Sequence, residues 1–407
     1  MKNWIKDIGP GALIAAAFIG PGTVTVCTIA GATYGFVLLW AMVFSIIATV
    51  VLQEMAARLG LISKMGLATA IRSEIKHPTL KWMAILLIMS AIIVGNAAYE
   101  AGNISGGVLG LETIIQNTSI RVGSGSINLL SWLIGLIAFG LLFIGNYKII
   151  EKVLVTLVII MSFAFLLTAI MTQPNIWAVL KGLFIPHFPK GSLLTIIALI
   201  GTTVVPYNLF LHASLVQEKW KGANDLAKAK KDTQVSIISG GIVSMAIIVS
   251  AAAIQGQEVS NAAHLAKGLA PLFGIYSKYF LATGLFAAGI TSAITAPLAA
   301  AYVAQGCFGW QKNLKSSKFR IVWMAILGLG VIFSSTGIKP IEIIKFAQVA
   351  NGLLLPIIAG FLLWIMNRGP ILGDYKNSKF QNILGWGIIV ITLVLGMKSI
   401  GKVFFIW

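Results

Sequence analysis

The sequence predicts an all-α integral membrane protein of about eleven spans, and three observations carry that prediction. Only 10% of its 407 residues are charged and 58% are hydrophobic, whereas a soluble domain carries about 25% charged residues. Such a chain cannot cover itself with polar surface, which excludes a soluble enzyme, a nucleic-acid binder and a disordered scaffold. Apolar stretches of span length recur from end to end, and Lys and Arg collect in alternate loops. The two cysteines, Cys27 and Cys307, lie far apart in apolar surroundings and offer neither a disulfide framework nor a metal spacing. No cleavable signal is evident, because the apolar stretch after Met1-Lys2-Asn3-Trp4 runs past Ala30 and reads as a span.

A bilayer core of about 30 Å needs about 20 apolar residues per helix. By that measure the spans fall at roughly 8–30, 34–57, 83–110, 127–146, 149–172, 192–217, 235–256, 277–306, 320–336, 340–366 and 381–405. With the N-terminus placed in the cytoplasm, the inside segments hold 21 of the 30 Lys and Arg residues, the bias that orients membrane proteins. An odd number of spans then puts the C-terminus outside. The net charge of +18 is thus mostly topology; the inside cluster Lys219, Lys221, Lys228, Lys230 and Lys231 reads as an anchor on anionic lipid. No polar stretch is long enough for a soluble domain. Residues 1–407 form one membrane domain.

Two spans are interrupted. Span 1 contains Ile19-Gly20-Pro21-Gly22-Thr23, and span 6 contains Thr202-Thr203-Val204-Val205-Pro206-Tyr207-Asn208. Proline removes a backbone donor, and unwound backbone at membrane depth is tolerated only against protein or a cavity. Each interruption opens a unit of five spans, residues 8–172 and 192–366, with the helix at 381–405 left over. An odd count inverts the second unit. Matched breaks in inverted halves point to a transporter's central site.

The stretches around those breaks resemble the natural-resistance-associated macrophage protein family of divalent metal transporters. The resemblance rests on Gly9-Pro10-Gly11, the span 1 break, Ala30-Gly31-Ala32-Thr33-Tyr34-Gly35-Phe36 and Leu52-Gln53-Glu54-Met55-Ala56-Ala57-Arg58-Leu59-Gly60. It continues through Pro206-Tyr207-Asn208-Leu209-Phe210-Leu211-His212, Leu215-Val216-Gln217, Thr291-Ser292-Ala293-Ile294-Thr295 and Ala347-Gln348-Val349 with Pro356. It implies the leucine-transporter-like fold, a five-plus-five inverted repeat with helices 1 and 6 broken at the site. It places Gly20, Pro21, Gly22, Thr23, Thr202, Val205, Pro206, Tyr207, Asn208 and Gln348 at the substrate.

Against the family pattern the site is altered. The family's Asp-Pro-Gly-Asn becomes Gly20-Pro21-Gly22-Thr23, and its Met thioether becomes Val205. A divalent ion stripped of water with no carboxylate opposite it faces an uncompensated desolvation cost, so high-affinity metal binding is not expected. The family's His after the proline is Tyr207, an acid of its span 3 maps onto Asn96, and span 9 carries no Arg pair. Hydroxyls, an amide and the N-terminus of the half-helix after Gly22 favour an anion or a neutral solute.

Span 3 carries a polar stripe, Asn96, Tyr99, Glu100 and Asn103, at i, i+3, i+4 and i+7. Glu100 is an acid well inside a span, a candidate for coupling, or else a buried packing group beside Gly102, Gly106 and Gly107. His212, one to two turns past the second break, joins Asn96, Tyr99 and Glu100 as a coupling or gating candidate. Glu54 with Arg58, and Glu342 with Lys345, read as ion pairs.

The leading expectation is an alternating-access secondary transporter with a remodelled site for an anionic or neutral solute. The alternatives are a carrier of a divalent ion such as Mg²⁺ or Mn²⁺ on neutral oxygens, and a transport-inactive sensor of the same fold. No nucleophile–base pair or phosphate loop points to an enzyme, and no cofactor or nucleic-acid partner is expected. The composition reads as a bacterial inner-membrane protein, its partners being the bilayer and a small solute or ion.

Overall fold

The computed structural model describes residues 19–115, 118–122, 125–145, 148–311 and 313–403. Gly9-Pro10-Gly11 and the first half of predicted span 1 lie outside them. The architecture is carried by α1 (Pro21–Tyr34), α2 (Leu39–Ser63), α3 (Pro78–Leu111), α4 (Leu129–Ile144), α5 (Lys148–Met171), α6 (Leu193–Thr203) and α7 (Pro206–Lys219). It continues with α8 (Leu226–Ala252), α9 (Ser277–Phe308), α10 (Ser317–Ser334), α11 (Pro340–Ile365) and α12 (Lys379–Val403). Helices α6 and α7 together make one interrupted span, so these elements match the eleven predicted crossings. Among the described residues nine segments are long and apolar enough to cross a bilayer. The other two are α1, whose described part has 14 residues, and α4, with 16 residues.

Local chemistry sets the helix starts. Pro21, Pro78, Pro206 and Pro340 each occupy the first turn of their helix, where a missing N–H costs nothing. Asn128 begins α4 by accepting from Leu130 N at 2.9 Å, and Ser316 begins α10 by accepting from Phe319 N. Between α3 and α4 the chain forms a short antiparallel hairpin, β1 (Ser119–Val122) with β2 (Gly125–Asn128), pairing Ser119 with Asn128. No alternation in the sequence foretold it.

Packing repeats itself across the two halves. Helix α1 lies mainly on α8, and its counterpart α7 lies mainly on α2. Helices α2 and α8 pack on each other, as do α3 and α9, while α3 meets α11 and α9 meets α5. Each contact is matched by the one that exchanges helix n of the first unit with helix n of the second. This is the contact pattern of an inverted repeat. The seams are made of small residues: a methyl added at Gly289 of α9 would sit 2.7 Å from Gly107 N and 3.0 Å from Asn103 O of α3. Large apolar side chains such as Leu86, Leu136, Phe163, Ile170 and Trp386 face outward, the surface a bilayer covers.

One end of the bundle gathers alternate loops. Arg58, buried at the end of α2, donates to Tyr375 O (2.9 Å) and Asn377 Oδ1 (2.7 Å) beyond α11, and pairs with Glu54 at 3.2 Å. Arg368 pairs with Glu74 at 3.4 Å. The loops after α2 and α11 therefore share one face, as the Lys and Arg count requires. The expected Glu342–Lys345 pair also forms, at 3.2 Å.

Candidate substrate site

Helix α6 stops at Thr203, and after two non-helical residues α7 restarts on Pro206. The cause is in the backbone. Residue 206 is the intrahelical partner of the Thr202 carbonyl, and proline has no N–H to give. That carbonyl is freed at the middle of the span. On the other side Gly20 is extended at φ −108 and ψ −173, and α1 starts on Pro21. Both restarted helices, α1 and α7, have 14 residues, Pro in the first turn, no side-chain cap and no acid in that turn. Their uncapped N–H groups leave partial positive charge at the breaks, while the end of α6 contributes partial negative charge.

The two breaks meet. Thr23 Oγ1 and Thr202 Oγ1 share a hydrogen bond of 2.8 Å, both residues fully buried. Gln348 of α11 completes the group: its side-chain amide lies against the Gly22 Cα, where any side chain at position 22 would collide with it. Gly201 lets α6 close onto the Gln348 backbone in the same way, since a methyl there would strike the Gln348 carbonyl and come within 2.6 Å of Gly352 N. Gly201 is thus required by close approach to the α11 backbone, and Gly22 leaves room for the Gln348 amide. The Tyr207 ring meets that of Tyr99 on α3 edge-on, with centroids 5.4 Å apart.

Several polar atoms here have no hydrogen-bond partner among the described residues: Gln348 Oε1, both side-chain atoms of Asn208, Asn351 Nδ2 and the hydroxyls of Thr25 and Thr28. A buried unpaired polar atom costs about 1–3 kcal/mol, and the side-chain amides of Gln348 and Asn208 carry theirs beside the two unwound segments. The chemistry offered is neutral: hydroxyl, amide and carbonyl oxygens, with the apolar Val205 beside them at the second break. Among the described residues no three His, Cys, Asp or Glu side chains converge to hold a metal.

The coupling candidates divide. Tyr99 touches the site through Tyr207. Asn96 instead donates Nδ2 to Ala296 O of α9 at 2.9 Å. His212 Nδ1 bonds Gln53 Oε1 of α2 at 2.9 Å, tying α7 to its main packing partner. Glu100 accepts from Asn103 Nδ2 at 3.4 Å, leaves Oε1 unpaired, and packs its stem against Gly330 of α10. The stripe seen in the sequence is real, but a helix touches several neighbours, and its members reach α9, α10 and α7 separately. Asn351 went unrecognised; its spacing of i+3 from Gln348, as a second amide in an apolar span, was the available signal. Ser334 of α10, bonded to Ser105 of α3 at 2.9 Å and Ser131 of α4 at 3.0 Å, had no such signal, because those three residues are distant in sequence.

A family model described as natural resistance-associated macrophage protein-like matches residues 11–402. The chain belongs to that family. Curated relatives include proteins called divalent metal cation transporter MntH from Staphylococcus haemolyticus, 26% identical over 99% of this chain and 93% of the relative, and from Staphylococcus aureus, 26% identical over 99% and 92%. The crystal structure of a manganese transporter from Eremococcus coleocola superposes with a TM-score of 0.76 at 22% identity, covering 98% of this chain and 87% of that one. A more distant likeness is to MhsT, crystallised with L-phenylalanine, with a TM-score of 0.60 at 14% identity over 95% and 97% of the two chains. The family member described here is therefore a multi-pass membrane protein with the predicted transporter fold, and it is not an enzyme.

Proposed function

We propose that this family member carries a divalent metal cation across a bacterial cell membrane by alternating access, and that the ion keeps much of its water while held by neutral oxygens. The sequence alone ranked an anionic or neutral solute first. The curated relatives, both called divalent metal cation transporters, support the metal reading instead. The observation that carries it is the set of acceptors left open at the breaks: Gln348 Oε1 and Asn208 Oδ1, with the Thr202 carbonyl freed by Pro206. Hard cations take oxygen ligands, and Mg²⁺ in particular dehydrates reluctantly and keeps several waters. A hydrated ion avoids the desolvation cost that a bare one would meet without a carboxylate. A site with oxygens and no thioether has given up the soft ligand that selects transition metals. The proposed orientation places the N-terminus and the shared loop face in the cytoplasm, following the positive-inside bias.

The anion reading keeps one observation in its favour: the uncapped, acid-free starts of α1 and α7. Proteoliposome flux decides between the two. Saturable Mg²⁺ or Mn²⁺ uptake, weakened in Gln348→Ala and Asn208→Ala, is expected. Saturable uptake of a small carboxylate with no divalent flux would overturn the proposal. Cation-induced thermal stabilisation without any flux would turn it into a sensor.

A further inference from the structure

A polar cavity of about 240 Å³ lies beyond the central site on the face that gathers the Lys-rich loops. Its walls come from three places. The turn after α2 and the helix Leu67–Glu74 contribute Lys64, Thr69 and Arg72; α7 contributes Ser214 and Gln217; the end of α9 contributes Gln305. None of the residues placed at the central site lines it.

Two features of this cavity point to a ligand. Lys64 and Arg72 both line it, and among the described residues neither has an ion-pair partner; Arg72 Nε is buried without a hydrogen bond. No acid is among the lining residues. Glu218 is near enough to Tyr302, on the wall, to act on it electrostatically. A buried guanidinium nitrogen with no acceptor is costly. Second, the helix Leu67–Glu74 starts here on Gly66, with no side-chain cap and no acid in its first turn, so unpaired N–H groups and partial positive charge face the same space. The arrangement is tightly built. Gly306 lets Thr69 approach α9 (a methyl there would lie 3.0 Å from Thr69 Oγ1), and Gly309, at φ +69, lets the Arg72 guanidinium lie flat against the chain.

We infer that this cavity is an anion site for a phosphate group, held by Arg72, Lys64 and the start of the helix Leu67–Glu74. A guanidinium fork and free N–H groups are matched to phosphate oxygens. The phosphate comes either from a small soluble anion or from the headgroup of an acidic lipid at this face. Because α7 runs from the Pro206 break at one end to Ser214 and Gln217 in the cavity wall at the other, a phosphate held on the helix Leu67–Glu74 also lies against α7. Occupancy therefore restrains a helix that carries Tyr207 and Asn208 of the substrate site.

The test uses the full chain in nanodiscs of phosphatidylcholine, with and without phosphatidylglycerol, and thermal unfolding in increasing inorganic phosphate against chloride at matched ionic strength. Phosphate is expected to raise the unfolding temperature of the wild type in phosphatidylcholine. Its apparent affinity is expected to fall about tenfold or more in Arg72→Gln, and by less in Lys64→Gln, whose side chain is exposed and safe to change. If phosphatidylglycerol abolishes the phosphate increment, or stabilises the wild type alone in a way Arg72→Gln loses, the lipid is the source. If phosphatidylglycerol leaves the increment intact, the soluble anion is. Gln348→Ala should keep the phosphate response, which separates this site from substrate binding. No stabilisation by either phosphate source, an equal response in both Arg72→Gln and Lys64→Gln, or its loss in Gln348→Ala would overturn the inference.

Discussion

Replacing Gly289 by alanine should loosen the seam between α3 and α9, and the cost can be worked from geometry. The added methyl would lie 2.7 Å from Gly107 N, 2.8 Å from Gly107 Cα and 3.0 Å from Asn103 O, all backbone atoms that cannot rotate away. Ordinary contact between carbons is about 3.5 Å or more, so α3 and α9 must separate by about 0.7 Å at that crossing. Overpacking of this kind costs about 1–3 kcal/mol. Alanine's better helix propensity returns about 1 kcal/mol, leaving a net loss of about 1–2 kcal/mol. The same change at Gly140 of α4, where nothing lies within 4 Å of the new methyl, should stabilise by about 0.5–1 kcal/mol through propensity alone. Unfolding in mixed micelles by titrated denaturing detergent reads both. The two signs must differ: a Gly289→Ala protein as stable as wild type, or Gly140→Ala the less stable of the two, would refute the reasoning.

Three further outcomes follow from particular contacts. Arg58→Ala strips the buried Glu54 and Asn377 of their partner and should cost about 3–5 kcal/mol; Arg58→Lys should recover little of it in the same unfolding assay, since one ammonium cannot reach Glu54, Tyr375 and Asn377 together. Gln53→Ala leaves His212 Nδ1 unpaired between α2 and α7 and should cost about 1–3 kcal/mol in the same unfolding assay. Glu112, at the first residue past α3, has its carboxyl raised above the usual 4.5 by burial, against the lowering pull of the Asn128 amide at 2.8 Å. A raised acid stabilises the fold most below its ordinary pKa, and that share is lost as pH climbs through the raised value. Wild type should therefore lose stability from about pH 4.5 upward in this window relative to Glu112→Gln, which keeps the acceptor and removes the titration; parallel pH profiles for the two proteins would exclude this role.

The family, the eleven spans and the two breaks were legible because each is written locally: about 20 apolar residues per crossing, or a Gly-Pro or Val-Pro step at which a helix loses a backbone donor. The ion pair of Glu54 with Arg58 was equally local, four residues apart on one helix. Its further partners at 375 and 377 were not, since nothing in sequence links them to residue 58.

By itself, then, the sequence determined that this chain crosses a membrane, where it breaks, and that residues 20, 23 and 205 carry no acid, amide or thioether. Tertiary structure decided what those breaks touch: it set Thr23 on Thr202, pressed Gln348 against Gly22, left the Asn208 amide without a partner among the described residues, and sent Asn96, Glu100 and His212 to three different neighbours. The reason is physical. Apolar length and backbone donors are properties of a segment, whereas whether a buried oxygen is satisfied depends on the helix that comes to lie beside it.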